Sequence, residues 1–152
     1  MTEPRLAPER THVQMVALLA GISFLLLGLF GFIPGITTRF DDLAFAGERS
    51  NAQLLGVFQV SVVHNIVHLI FGLAGITMAR TWEGARAFLL GGGVVYVALW
   101  LLGALGGADW IPADSADNWL HLGLGVAMIS VGLAFATARG KRVTRDAARP
   151  AA

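Results

Sequence analysis

Leu54–Arg80, LLGVFQVSVVHNIVHLIFGLAGITMAR, decides how the rest of the chain is read. About 20 apolar residues suffice to cross a bilayer as a helix, and this run is longer, yet it carries His64, Asn65 and His68 near its middle. At about 100° per residue, counted from Gln53, the residues Ser61, His64, Asn65, His68, Gly72 and Gly75 share one side, whereas Gln59 and Thr77 fall off it. The other side is Val, Ile, Leu and Phe. Hydrocarbon offers an imidazole or an amide nothing to bond to, so the polar side is expected to face other helices or a small wet cavity.

Composition agrees with a membrane setting. The chain has 152 residues, 55% of them hydrophobic and only 14% charged, with a mean hydropathy of +0.66, well away from a soluble globular mix. A net charge of +1 gives no basic field for nucleic acid. The absence of cysteine excludes disulfides, thiolate metal sites and thiol catalysis.

Outward from the opening run, four spans are expected, at about 12–33, 54–79, 87–105 and 117–138, making an all-α transmembrane domain over 12–138. Residues 1–11 read as a disordered tail and 139–152 as a basic one. The first span is too long for a signal core and no small-residue cleavage site follows it, so it is read as retained. Ser50-Asn51-Ala52-Gln53 has the form of a capping box and predicts a second helix starting there. Between the first two spans, Phe40, Leu43 and Phe45 fit a piece lying on the membrane surface. Arg80–Arg86, RTWEGAR, reads as a polar turn, with Trp82 at the headgroups. Trp110 reads as a second anchor, and Asp114 as the cap of the fourth helix. Nine of the eleven Lys and Arg residues lie in the two tails and in that turn. The positive-inside rule then places both termini in the cytoplasm, with the chain held in the cell's inner (plasma) membrane.

The second and fourth spans share a pattern. Asn65-Ile-Val-His68-Leu-Ile-Phe-Gly72-Leu-Ala74 matches Asn118-Trp-Leu-His121-Leu-Gly-Leu-Gly125-Val-Ala127 at an offset of 53. Read as a duplication, this makes two parallel repeats, each a helical hairpin, related by an axis along the membrane normal. Asn118 and His121 join Gly125, Met128 and Gly132 on one arc beside Asp117, so the second and fourth helices are expected to face each other across a bundle.

The run Leu54-Leu-Gly-Val-Phe-Gln59-Val-Ser-Val-Val-His64-Asn65-Ile-Val-His68-Leu-Ile-Phe-Gly72, with Arg80, Gly84-Ala-Arg86, Gly91-Gly92-Gly93-Val-Val-Tyr96 and Ala116-Asp117-Asn118-Trp119-Leu120-His121-Leu122, resembles the bacterial membrane-protein family catalogued as domain of unknown function 4383. The resemblance implies four spanning helices over about residues 12–138 and carries no biochemical activity with it.

The candidate site is therefore the polar interior seam of Gln53, Ser61, His64, Asn65, His68, Asp117, Asn118 and His121. The favoured reading is that these side chains join helices, as interhelical hydrogen bonds of about 0.6–2 kcal/mol do in membranes, in a structural, accessory or interaction protein rather than an enzyme. A second reading gives His64, His68 and His121 to a haem, with Gly72, Gly75 and Gly125 leaving room for it, or joins them with Asp117 around a divalent metal ion. The zinc-protease signature is excluded, because Asn65 stands where its glutamate would be. A third reading is a small transporter or proton-relay subunit. Lipid is the expected surrounding, and the Gly103/Gly107 pair offers weak support for a homo-oligomer or another membrane-protein partner.

Overall fold

The computed structural model describes residues 10–47, 49–106 and 115–147, with side chains as far as Phe135. Four helices carry the fold: α1 His12–Phe30, α2 Val62–Met78, α3 Trp82–Ala104 and α4 Ser115–Ala147. Three of them, α1, α3 and Ser115–Phe135 of α4, are long and apolar enough to cross a membrane, whereas α2 has 17 residues and is shorter. Their outward faces are apolar. On α2, Ile66, Val67, Ile70 and Leu73 are exposed, while Asn65, Gly72 and Gly75 are buried. The same pattern leaves Leu19, Ile22, Leu26 and Leu29 outside on α1. Water would penalise this arrangement; lipid does not.

The second helix starts later than its sequence predicts. Its first residue is Val62, and the apolar stretch before it forms a three-stranded antiparallel sheet of β1 Thr37–Thr38, β2 Gln53–Leu54 and β3 Phe58–Gln59, with β2 in the middle. Between β2 and β3, Leu55 and Gly56 both take positive φ, 55° and 72°, and the Val57 N–H donates to the Leu54 carbonyl at 3.1 Å, the kind of turn that suits a hairpin's twist. Ser50 is therefore no helix cap. Its hydroxyl, fully buried, donates to the Val60 carbonyl and accepts from the Ala44 N–H. Gln53 sits in β2, its side-chain oxygen accepting from Arg39, and does not belong to the helical seam.

The cap of α2 is Ser61, whose hydroxyl accepts from the His64 N–H at 3.2 Å. The N–H groups of Val62 and Val63 donate to the carbonyls of Ala44 and Phe45, and that of Asn65 to Ser61. The Val62, Val63, His64 and Asn65 N–H groups are thus all satisfied by protein, as buried backbone donors require.

The other boundaries also move. Thr81 caps α3 through the Gly84 N–H at 3.0 Å, with Glu83 in the first turn, so RTWEGAR is mostly helix rather than turn. A capping signal outranks the run's charge there. Helix α1 ends at Phe30, and the Thr37 hydroxyl donates to the Phe30 carbonyl. The backbone of α4 continues into the expected basic tail as far as Ala147. Residues 1–9, Trp110, Asp114 and Gly107 lie outside the described residues.

Helix α1 packs chiefly on α2, and α3 on α4; the two pairs meet mainly through α1 and α3. This differs from the expected face-to-face arrangement of the second and fourth helices. Within each pair the backbones nearly touch. A Cβ built on Gly21 would lie 2.7 Å from the Ile76 nitrogen, and one on Gly72 would lie 2.5 Å from the Leu25 nitrogen. In the other pair, a Cβ on Gly93 would lie 3.0 Å from the Ile129 nitrogen, and one on Gly125 would lie 3.0 Å from the Val97 nitrogen. Only hydrogen fits at these four positions.

Side chains tie the ends of each pair away from the sheet. The Gln14 amide donates to the Ala79 and Arg80 carbonyls at 3.2 and 2.9 Å, and the Arg86 Nε–H donates to the Gly132 carbonyl at 3.1 Å. Toward the sheet, a Cβ on Gly31 would land on the Asn65 amide, and one on Gly103 on the Asn118 amide.

Two outcomes are expected. Gly72→Leu and Gly125→Leu should each destabilise the detergent-solubilised protein by at least about 1–3 kcal/mol, as overpacking does, whereas Gly91→Leu and Gly123→Leu, where an added Cβ meets nothing, should leave the melting temperature nearly unchanged. Ser61→Ala should cost about 1 kcal/mol, a usual loss for an N-cap, measurable by thermal unfolding.

Candidate functional site

The site lies where the sheet covers the first turn of α2. Leu27 of α1, Leu54, Phe58 and Val60 of the sheet region, His64, Asn65 and His68 of α2, and Asp117 and Leu120 of α4 line a cavity of about 40 Å³. Helical spacing places His64, Asn65 and His68 on the inward side, and the hairpin of β2 and β3 lays its apolar residues over them. The second and fourth helices thus do share a space, at the sheet end, even though the main contact between the pairs belongs to α1 and α3.

Each polar side chain has a distinct setting. The His64 and His68 rings stack, with centroids 4.4 Å apart and planes within 21°. The His68 Nδ1 lies 3.1 Å from the His64 carbonyl oxygen and donates to it in the Nδ1-protonated tautomer. Asp117 and His121, one turn apart on α4, are both buried, with 3.6 Å between carboxylate and Nε2. Asn65 is 1% exposed, and neither its amide nitrogen nor its oxygen has a protein partner. Asn118, half-buried, packs against Gly103, while Ser61 serves as a helix cap and Gln53 as a sheet residue.

Aromatic rings connect these groups. Phe24 of α1 meets His68 at 5.8 Å with planes 56° apart, and Tyr96 of α3 meets His121 at 5.1 Å and 52°. Phe24 and Tyr96 then stack on each other, 5.4 Å apart and within 14°, and Phe71 sits edge-on to both. Aromatic pairs of this kind add about 0.5–1.5 kcal/mol each beyond burial. Tyr96 stands in the Gly91–Tyr96 run that carries the family resemblance, whereas no motif singles out Phe24. The available signal was spacing, since Phe24 lies between Gly21 and Gly28 on the side of α1 that is buried.

The geometry limits what the site can hold. The glycines expected to leave room for a haem are filled by neighbouring backbone or side chains: Gly72 by Leu25, Gly75 by Phe88 and Gly125 by Val97. A cavity of about 40 Å³ is several-fold smaller than the roughly 300–1,000 Å³ of ordinary ligand pockets. The residues do not fit a haem in this packing. Among the described residues, no three His, Asp or Glu side chains converge closely enough to hold a metal ion.

Neither a curated protein nor a solved structure matches the chain. One family model does, across residues 14–134, which takes in all of α2 and α3, nearly all of α1, and α4 up to one residue short of Phe135. The chain belongs to the family described as domain of unknown function 4383.

Proposed function

We propose that this protein is an integral protein of the bacterial inner membrane that serves as a structural, accessory or interaction component rather than an enzyme. It is built from two parallel helical hairpins, α1–α2 and α3–α4, with four crossings and both termini in the cytoplasm. The observation that carries this reading is the correspondence of contacts between the two pairs. An offset of 72 residues relates Gln14, Gly21, Phe24, Leu25 and Gly31 to Arg86, Gly93, Tyr96, Val97 and Gly103, while an offset of 53 relates Asn65, His68, Gly72, Ile76 and Ala79 to Asn118, His121, Gly125, Ile129 and Gly132. Under these two offsets the closest backbone approaches, the ring pairs and the carbonyl-directed ties of one hairpin become those of the other. The Phe24/Tyr96 stack joins a residue to its own counterpart, as a two-fold axis between the hairpins requires.

In this reading polar side chains inside the helix pairs are spent on assembly. Gln14 and Arg86 bond to carbonyls of the partner helix, and the imidazoles pack on aromatic rings. The short α2 completes its crossing with the extended segment at 58–61, which gains about 3.3 Å per residue where a helix gains 1.5 Å. Exposed apolar side chains on all four helices then contact lipid.

The natural chain has no cysteine, so single cysteines report topology directly. Thr38→Cys in β1 should react with a membrane-impermeant maleimide applied to the periplasmic side, and Glu83→Cys at the start of α3 should react only after the inner membrane is opened. The reverse pattern overturns the orientation. Protein purified from its native membrane should show no Soret absorbance and no stoichiometric metal by elemental analysis; either signal would return the histidines to a cofactor role.

A further inference from the structure

Asn65 poses a problem that the assembly role does not answer. Its side chain is 1% exposed, and both amide atoms lack any protein partner, although buried amides are otherwise almost always bonded. Gly31 closes one side of it. The cavity that it lines is bordered by two imidazoles and the Asp117 carboxylate, with Leu27, Leu54, Phe58, Val60 and Leu120 as apolar walls.

We propose that this cavity is a built hydration site, in which a small cluster of ordered water molecules occupies Asn65 and bridges α2 to Asp117 of α4. Volume limits the occupant. A cavity of about 40 Å³ accepts about two to four waters, at roughly 10–15 Å³ each, and excludes an organic molecule of more than a few atoms. Polarity then selects among small occupants. Asn65 needs an acceptor for its Nδ2–H groups as well as a donor for Oδ1. Water supplies both, whereas a bare cation satisfies the oxygen and leaves the nitrogen unpaired. An empty polar cavity leaves both atoms without a partner, which genuinely dry cavities, being apolar, avoid.

Among the described residues, the site differs in kind from the ring stacking that joins the two hairpins. At the end away from the sheet, Gln14 and Arg86 tie helices within one hairpin. Near the middle, the contact between hairpins is aromatic. At the sheet end, Asn65, His64 and His68 of one hairpin share the cavity with Asp117 and Leu120 of the other. Water there acts as the polar tie between hairpins, and it does so beneath the sheet that covers the first turn of α2.

The test is a structure of the full chain in lipid nanodiscs at a resolution that shows ordered water, read together with the stability of Asn65→Leu. The expected result is about two to four peaks, at least one within hydrogen-bonding distance of Asn65 Oδ1 and one of Nδ2, with a chain of contacts reaching Asp117. Asn65→Leu, equal in heavy-atom count but unable to hydrogen-bond to water, should lose those peaks and lower the melting temperature by several degrees. An empty cavity overturns the proposal, as does a single peak coordinated only by Oδ1 and carboxylate oxygens, which marks a cation. A melting temperature that Asn65→Leu leaves unchanged or raises also overturns it, because removing an unsatisfied dry amide relieves a penalty. Should the variant fail to fold, the density in the unaltered chain still decides.

Discussion

Everything in this molecule depends on how closely α1 approaches α2 and α3 approaches α4. Lipid gives apolar side chains no reason to leave one another's company for the protein, so helices associate there through contact and hydrogen bonding rather than through the hydrophobic effect. Contact is best where backbones touch, and they touch at Gly21 with Gly72, and at Gly93 with Gly125. With the backbones fixed at those points, the register of every other pair follows. Gln14 arrives at the end of α2, Arg86 at Gly132, Phe24 at His68 and Tyr96 at His121.

The polar residues are consequences of that register. Each of two imidazoles, His68 and His121, packs on an aromatic ring. Phe24 and Tyr96 supply one to each helix pair and then stack on each other, so the contact between the pairs includes the same rings that accommodate the histidines. At the sheet end the demands are different. The first turn of α2 leaves donors with no partner inside the helix, and the Ala44 and Phe45 carbonyls with the Ser61 hydroxyl take them up. The sheet is the structure that brings those acceptors into place.

Much of this was legible in the residues, and the gaps have physical causes. The arc of His64, Asn65 and His68 could be read because helical periodicity and the cost of polar groups in hydrocarbon point the same way, and the structure turns Asn65 inward. The hairpin of β2 and β3 could not, because Leu54, Val57, Phe58 and Val60 are as apolar as a spanning helix and periodicity alone does not separate the two; the Leu55-Gly56 turn was the one local sign. The capping form at Ser50 was misleading, since that hydroxyl is committed to a carbonyl ten residues on. The haem reading assigns the space beside Gly72, Gly75 and Gly125 to a cofactor, whereas Leu25, Phe88 and Val97 occupy it. Phe24 was missed because a phenylalanine in an apolar helix carries no polar signal, and only its partner, the buried His68-bearing face of α2, distinguishes it.

Solid-state NMR of the isotopically labelled chain in a lipid bilayer tests the account most directly. It predicts short-range correlations between Gly72 and Leu25, and between Gly125 and Val97, with no transfer from acyl chains to these glycines. Strong acyl-chain transfer to Gly72 and Gly125, together with the absence of those interhelical correlations, would contradict it.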